Sequence, residues 1–489
     1  MRRLLEILGR PASLALCFAL CVLATGLGCA LRTPISLFPD EPSHIARADG
    51  LRYGEILGVN SPVPTTDRVK FGVILNAAID QVRLSPEFIG GFPDKAEPES
   101  AWRQTEAVQW DSHQIYAPTQ MVQYFPVFYA PAALGLLLGE RLGLTPLHTV
   151  YLGRVAMLLA FVAMGMAAVA LTRTGAGLLF AVLTLPTLVN LASSYNHDGL
   201  MIGACALAVA LLTRKQRGAW WAAVGLLVCV GLAKPPYAPL LLVCLAPLLG
   251  AGLWRRVLVV GLACMLPAFW LLHTVHSGFV SYPRAPYHPG PLYPGPHDVW
   301  LNAVEPGANM RVLLAHPTQI FILPLYTLRA FWGTTWPLIL GGISLGNLRI
   351  PAWEYPWLVA SLGAAALAVM GAARPVPGQN PGWGAVDAGL VVFAVFVSFI
   401  AMELSLYLSF TNAGLPYIEG INARYFLLFM PFFVFLLPAI GKGLGRLPGM
   451  TRLARLAQGW FVLPAIGMAV TNVYALPAYI IHVFHMPMP

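Results

Sequence analysis

The sequence predicts an all-α polytopic membrane protein, and three observations support this. The chain has 489 residues, of which 57% are hydrophobic and 10% charged, whereas soluble globular proteins carry about 25% charged residues. Apolar runs of about 20 residues, the length that spans a bilayer as a helix, recur along the chain. Lysine and arginine cluster between these runs, as in cytoplasmic loops. The net charge of +9 therefore reflects topology, and no nucleic-acid partner is expected.

The first apolar run covers about residues 12–31 and follows Arg2, Arg3 and Arg10, so the N-terminus is predicted to be cytoplasmic. The run is too long for the apolar part of a cleaved signal peptide and is interpreted as a retained signal-anchor. Further spans bring the count to about eleven, at roughly 149–171, 176–194, 199–213, 218–233, 236–253, 257–275, 355–373, 385–409, 424–441 and 459–481. With that count the positive clusters all lie inside, at Arg214 to Arg217, Arg255-Arg256, Arg374 and Lys442 to Arg455.

Two large segments, about 32–148 and 276–317, are predicted to be external. The first contains an apolar stretch at 124–139, and the second is followed by another at about 318–346. Counting either stretch alone as a span would place the positive clusters outside. Both stretches are interpreted as interfacial or re-entrant helices, although a hairpin of two short spans would keep the same parity. The segment 276–317 is rich in proline, tyrosine and histidine, which fits either a disordered loop or a lid over a cavity.

The cysteines of the chain give no sign of a zinc site or a disulfide framework. There are seven, nearly all within apolar runs, and no CxxC motif occurs. Cysteines in such positions usually behave as small buried hydrophobes. The chemistry of the chain is therefore expected to depend on its few charged residues.

A pair of adjacent acids, Asp40 and Glu41, follows the first span in the stretch FPDE. Such a pair at a membrane exit is costly unless water, a metal or a substrate compensates it. A further acid, Asp198, lies in YNHDG, where it either forms the turn between two spans or faces the acid pair. Acids on separate helices can hold a divalent metal, here Mg²⁺ or Mn²⁺ bound by Asp40 and Asp198, or divide the base and ligand roles.

Two cations are predicted at the same external boundary. Lys234 ends the fifth span, where it either snorkels to the headgroups or contacts a phosphate. Arg424 begins the tenth span, where it either pairs with Glu419 or clamps a phosphate with its planar fork. Together Lys234 and Arg424 could bind a lipid-linked phosphate or pyrophosphate, with the neighbouring Tyr237, Glu419 and Tyr425 as substrate-positioning residues.

His44 and Arg47, which follow the acid pair, are predicted to share one helix face with Glu41. His44 and Arg47 follow Glu41 at successive intervals of three residues. They are candidate substrate-positioning residues, and His44 is also a candidate metal ligand. The alternative is a plain helix start in which Asp40 or Ser43 acts as the N-cap.

The order of these motifs resembles the GT-C superfamily of integral-membrane glycosyltransferases. The shared features are the acid pair after the first span, the long external loop, a YFPVFY element at 124–129 and a span bearing Gly153-Arg154. More narrowly, FPDEPSH, AKPPY and ARYF look like a bacterial family of multi-spanning membrane proteins long labelled as a domain of unknown function. The resemblance covers essentially the whole chain, but a large soluble C-terminal domain is missing.

The resemblance implies an inverting transfer of a sugar from a polyprenyl-phosphate-linked donor to a glycan, lipid or protein acceptor. It implies a catalytic acid at Asp40 or Glu41, with Asp40 favoured because the first acid of such a pair is the usual base. Asp198 would be the second acid, and Lys234 and Arg424 would bind the donor phosphate. The site would face outward from a bacterial inner membrane. The chain would divide into a catalytic module at 1–275, a lid and juxtamembrane part at 276–354 and C-terminal helices at 355–489.

Two other functions remain open from the sequence. A transporter or flippase of a lipid-linked or anionic substrate would explain the Gly and Pro breaks, but it predicts internal repeats and charges near the membrane midplane. A non-catalytic scaffold would leave the acid pair without a role. The predicted placement of Asp40, Asp198, Lys234 and Arg424 at one external boundary favours surface chemistry.

Overall fold

A computed structural model describes most of the chain. The described residues are 7–60, 71–84, 103–249, 252–276, 304, 306–343, 348–371, 384–412, 415–444 and 460–484. Several sequence predictions lie outside them, namely Arg2 and Arg3, the central part of the proposed lid (277–303), Arg374 and most of the basic cluster that begins at Lys442. The fold below concerns the described residues alone.

The polytopic helical architecture is confirmed. Six helices or helical runs are long and apolar enough to cross a membrane. They are α1 (Pro11–Arg32), α5 (Pro146–Leu171), α10 (Leu253–His276), α14 (Ala385–Ser409), the run Arg424–Leu444, and α17 (Val462–Phe484). Shorter apolar helices accompany them, including α8 (Asp198–Leu212), α9 (Arg217–Ala233) and α13 (Tyr355–Met370).

Proline breaks three of the predicted spans into shorter helices. The span at 176–194 is two helices, α6 (Ala176–Leu183) and α7 (Pro186–Ala192), divided just before Pro186. The span at 236–253 is a 3₁₀ helix at Pro235–Leu245, where closely spaced prolines remove the backbone donors of an α-helix. The run Arg424–Leu444 consists of α15 (Arg424–Leu427), a short 3₁₀ turn at Met430–Phe432 and α16 (Phe433–Leu444).

The segment 32–148 contains a small antiparallel sheet that the sequence analysis did not predict. Helix α2 (Glu41–Arg52) precedes β1 (Val59–Asn60) and β2 (Phe71–Asn76), and α3 (Ala77–Arg83) precedes β3 (Gln114–Pro118). Strand β2 is central, and Val73 pairs with Ala117 of β3. The strands are short and far apart in sequence, so hydropathy over a helical window does not detect them.

The two apolar stretches predicted to be interfacial or re-entrant are both helical. In the first, a 3₁₀ turn at Pro126–Tyr129 leads into α4 (Ala130–Arg141). In the second, α11 (Pro306–Ala315) precedes α12 (Gln319–Gly341), which contains Pro324 and Pro337.

Close helix packing places the segment 32–148 against the other helices. Helix α5 lies at the centre and packs against α1, α4 and α8. A Cβ on Gly135 of α4 would lie 2.8 Å from the Cα of Gly153 in α5, so only small residues allow these backbones to approach. Helix α4 in turn packs against α2, which holds the start of α2 beside the bundle.

Candidate functional site

Four charged side chains from four separate segments meet at one end of the bundle. Asp40 lies between α1 and α2, Asp198 begins α8, Lys234 follows α9, and Arg424 begins α15. The structure therefore brings together the two acids and two cations that the sequence analysis assigned to one boundary. Their segments are up to 384 positions apart in sequence, so only the helix packing can join them.

The four charges form an alternating chain. Arg424 Nη2 donates to Asp40 Oδ2 at 2.5 Å, and Lys234 Nζ donates to Asp198 Oδ1 at 2.5 Å. Arg424 Nε lies 3.1 Å from Asp198 Oδ2, which is ion-pair distance, although the N–H is not aligned for a hydrogen bond. Arg424 is thus shared by both aspartates. Its Nη1 is buried and has no hydrogen-bond partner among the described residues.

The backbone at Asp40 has a left-handed conformation, with φ of 57°. Aspartate tolerates this region better than most residues because its short polar side chain bonds locally. Asp40 occupies the N-cap position of α2, as the alternative interpretation expected, yet its carboxylate reaches Arg424 across the site. Its side chain is 36% exposed, whereas that of Asp198 is 6% exposed.

The turn that precedes Asp198 is hydrogen-bonded to the segment that contains Asp40. The Asp198 backbone N–H donates to Asn196 Oδ1 at 2.9 Å. Asn196 Nδ2 donates to the carbonyl of Pro39 at 3.3 Å. The sequence analysis offered two roles for Asp198, a turn between two spans or an acid that faces the acid pair. The structure shows both, because the turn at Asn196 holds Asp198 near Asp40. Asn196 was not among the predicted site residues, because an asparagine before Asp-Gly reads as a turn former.

Glu41 is placed differently from its neighbour Asp40. Its side chain is fully buried, and its two carboxylate oxygens accept from Arg154 Nε at 2.8 Å and Nη2 at 2.6 Å. Arg154 also donates to the carbonyls of Ala30, Thr33 and Pro34. All five N–H donors of the guanidinium are thereby used. The pair joins α5 to the end of α1 and the start of α2.

His44 and His197 are joined through a tyrosine hydroxyl. His44 Nδ1 lies 2.6 Å from the Tyr129 hydroxyl, which lies 3.0 Å from His197 Nδ1. Burial lowers the pKa of His44 to about 3 and lowers the pKa of His197 well below its usual range. Both imidazoles are therefore neutral at pH 7. The Tyr129 hydroxyl donates to one of them and accepts from the other.

Arg47 stabilises the backbone next to the site. Its guanidinium donates to the backbone carbonyls of Glu55, Ile56 and Tyr124 at 2.7, 2.8 and 3.2 Å. Arg47 therefore holds the loop that presents the Tyr124 ring. Sequence reasoning used Tyr124 only as part of the YFPVFY element and did not predict it at the site.

Aromatic rings surround the Lys234 ammonium. Its Nζ lies 5.2 Å from the centroid of the Tyr124 ring and 4.7 Å from that of Tyr425. Tyr237 is buried, and its hydroxyl donates to the carbonyl of Tyr425 at 3.2 Å. Of the two predicted tyrosines, Tyr425 therefore lies beside the cation and Tyr237 binds the backbone of Tyr425. Ring faces stabilise a partly desolvated cation by about 1–2 kcal/mol.

Glu419 does not pair with Arg424 in the structure. Its Oε2 accepts from the backbone N–H of Asn412 at 2.9 Å, which closes the loop ahead of α15. Of the described residues, Asp40 and Asp198 form the ion pairs of Arg424.

An apolar cavity of about 410 Å³ opens beside Lys234. The charged end of its wall contains Lys234, Tyr124 and Tyr425. The remaining wall comes from the Pro235–Leu245 segment and from α10, α11 and α14, and includes Leu271, Val275, Met310, Met402, Leu406 and Leu408. The space thus has a cationic, aromatic end and an apolar body. It suits a ligand with an anionic group and an apolar chain.

The described residues do not fit the Mg²⁺ or Mn²⁺ that the sequence analysis allowed at Asp40 and Asp198. A divalent ion of this kind is held by carboxylate oxygens and water. Here both carboxylates are paired with Arg424 or Lys234, whose positive charges would repel a metal ion. No three described histidine, cysteine, aspartate or glutamate residues are grouped to share a metal, and His44 Nδ1 is bonded to Tyr129.

Comparison with known proteins gives one match. Residues 23–435 match a family described as "Predicted membrane protein (DUF2142)". No curated protein matches the chain, and no solved structure matches it. The match spans most of the chain, including all four charged residues of the site and the six-residue YFPVFY element. This chain is a multi-pass membrane protein that belongs to the DUF2142 family.

Proposed function

We propose that the protein is an inverting glycosyltransferase of the GT-C type. It moves a sugar from a polyprenyl-phosphate carrier to a glycan, lipid or protein acceptor of the cell envelope, on the outer face of a bacterial inner membrane. One observation carries the proposal. The ion-pair chain Asp40–Arg424–Asp198–Lys234 ends at Lys234, which lines an apolar cavity of about 410 Å³, so a base and two cations are joined to a space for an isoprenyl chain.

The support for donor binding comes from Lys234 and Arg424. Arginine matches phosphate oxygens with its planar fork, and lysine adds a compact charge. Arg424 Nη1 is buried without a partner among the described residues, so it is a donor available to a phosphate oxygen. The isoprenyl chain would follow the apolar wall formed by α10, α11 and α14.

The support for Asp40 as the general base comes from its contrast with Glu41. Both oxygens of Glu41 accept from Arg154 in a fully buried pair, which keeps them away from an acceptor. The side chain of Asp40 is 36% exposed and can meet an acceptor hydroxyl. A base must come within hydrogen-bond reach of the proton that it removes.

The reaction then follows from these positions. The acceptor oxygen attacks the anomeric carbon on the face opposite the phosphate, and its proton passes to the Asp40 carboxylate. The bond from the anomeric carbon to the phosphate oxygen breaks, and the polyprenyl phosphate leaves with the electron pair. Lys234 and Arg424 stabilise the charge that develops on that phosphate. Asp198 orients both cations and takes no proton.

A transfer assay tests the proposal. The full-length protein, purified in detergent, is given a panel of polyprenyl-phospho-sugars with envelope glycans, lipids and peptides as acceptors. We expect sugar transfer from one donor with inversion at the anomeric carbon. Arg424→Ala should raise the KM for the donor by at least about tenfold and leave the KM for the acceptor nearly unchanged.

Glu419→Gln is the matched control, because Glu419 precedes Arg424 closely but binds the backbone of Asn412. Its donor KM should equal that of the wild type. Retained stereochemistry, or a greater effect of Arg424→Ala on the acceptor KM, would contradict the proposal.

A transporter or flippase is the second candidate, because of Glu403. This residue lies in α14, is fully buried, and neither carboxylate oxygen has a hydrogen-bond partner among the described residues. Ionisable groups inside a membrane span commonly mark transport pathways. Movement of a fluorescent isoprenyl phosphate across proteoliposomes, lost in Glu403→Gln and kept in Asp40→Asn, would favour this candidate over the transferase.

A further inference from the structure

Arg424 is occupied in the structure by the residue that the proposed reaction needs as its base. We propose that Asp40 is an internal competitor for the phosphate site, so that its carboxylate holds Arg424 until a ligand phosphate displaces it. The contact is short, with Nη2 2.5 Å from Oδ2. A guanidinium binds carboxylate and phosphate through the same fork, so a phosphate that engages both Nη atoms of Arg424 competes with the Asp40 carboxylate for Nη2.

Charge balance explains why a carboxylate must leave. The site contains two aspartates and two cations, and both histidines beside it are neutral. A bound phosphate adds negative charge to a largely desolvated site, where uncompensated charge is costly. Releasing one carboxylate to water restores the balance.

Burial decides which of the two carboxylates leaves. The side chain of Asp198 is 6% exposed and remains bound to Lys234 at 2.5 Å, whereas the side chain of Asp40 is 36% exposed. Asp198 pairs with both Lys234 and Arg424, so the more exposed carboxylate of Asp40 is the one that turns toward water.

The backbone at Asp40 is held in place while its side chain turns. The next residue, Glu41, is locked by both of its oxygens to Arg154, and the carbonyl of Pro39 accepts from Asn196. Displacement therefore requires a change of side-chain rotamer and no movement of α2. If the proposed function holds, the sugar donor would release the base Asp40 by binding to Arg424. The competition between Asp40 and a phosphate does not depend on that function.

Binding of farnesyl phosphate to the full-length protein tests the competition. Asp40→Asn and Asp40→Gly remove the charge, and both residues tolerate the left-handed backbone at this position. Each variant should bind farnesyl phosphate about fivefold more tightly than the wild type in calorimetry, since a partly exposed ion pair contributes up to about 1 kcal/mol. Glu419→Gln should bind like the wild type.

The Arg424→Ala background separates competition from general loss of negative charge. Asp40→Asn should not improve binding when Arg424 is absent. An equal gain in that background, or affinity in both Asp40 variants no greater than that of the wild type, would overturn the inference, as would no binding in any of the proteins.

The two proposals fail in different ways. Tighter binding by Asp40→Asn, with no sugar transfer by the wild type on any donor, would support the competition and reject the transferase. Sugar transfer by the wild type, with unchanged affinity in both Asp40 variants, would reject the competition alone.

Discussion

Asp40 and Glu41 are adjacent in sequence and differ in nearly every property of their surroundings. Glu41 is fully buried, and the arginine that binds it uses all five of its N–H donors. Asp40 is partly exposed, and Nη1 of the arginine that binds it is buried with no hydrogen-bond partner in the described part of the chain. The first pair is saturated and the second is not.

This difference separates a structural ion pair from a candidate functional one. A buried pair whose arginine has used all of its N–H donors has none left for a ligand, so its role is to join helices. An unsaturated pair near a cavity leaves polar groups that a ligand can complete, and perturbed buried charges in such places are typical of functional sites. The predictions below test the contrast, beginning with the largest expected effect.

Removal of Arg154 should have the largest effect on stability. Arg154→Ala leaves the Glu41 carboxylate buried without a counter-charge, which typically costs about 3–5 kcal/mol. We expect a large drop in the unfolding temperature in detergent. The matched control is Glu140→Gln. Glu140 is 43% exposed, and its partner Arg52 also pairs with Asp49, so the expected loss is below about 1 kcal/mol. Equal unfolding temperatures would contradict the structural role of Arg154.

Substitution of Asp40 should mainly affect activity, and substitution of Glu41 should mainly affect stability. Asp40→Asn should lower the rate of sugar transfer by at least about 100-fold, the usual contribution of a general base, with an unfolding temperature near that of the wild type. Glu41→Gln should lower the unfolding temperature, while the protein that remains folded keeps its transfer rate. The comparison fails if the two variants exchange these phenotypes.

Loss of the Tyr129 hydroxyl should have an intermediate effect. Tyr129→Phe keeps the ring but removes the bonds to His44 and His197, leaving two buried imidazole nitrogens unpaired at a cost of about 1–2 kcal/mol. Chemical or thermal unfolding measures this loss. Tyr53→Phe, at the partly exposed bond from Arg52, is the control and should change stability less.

Mild acid should have the smallest effect. His44 has a pKa of about 3 when folded and about 6.5 when unfolded, so the unfolded chain binds more protons between these values. The free energy of unfolding therefore falls as the pH drops below about 6.5, by less than about 1 kcal/mol per histidine from pH 7 to pH 6. His44→Gln should reduce this dependence, whereas replacing the exposed His148 should leave it unchanged.

The membrane architecture could be predicted from sequence because hydropathy is a local property. Each predicted span coincides with a helix or a broken helix of the structure. The breaks at Pro186 and at Pro235–Leu245 were not predicted, since a window of about 20 residues averages over them. The sheet β1–β2–β3 was missed because its register depends on strands from distant parts of the segment 32–148.

The sequence identified the four charged residues of the candidate site but did not predict all of their contacts. Asp40, Asp198, Lys234 and Arg424 were identified because a charge at the end of an apolar helix is conspicuous. Asn196, Tyr124, Tyr129 and His197 were not named as site residues, because turn formers and aromatic residues are common at membrane boundaries. A histidine between an asparagine and an aspartate at such a boundary was the one signal that could have drawn attention to His197.

The sequence alone determined that the chain crosses a membrane many times and where its rare charges lie, because both follow from composition along short stretches. It did not determine which cation each acid binds. That choice was made by the packing of α5 against α1 and α4, which places Arg154 beside Glu41, and by α15, which places Arg424 between Asp40 and Asp198. Ion pairing depends on distances of a few ångströms between residues hundreds of positions apart, and only the tertiary structure sets those distances.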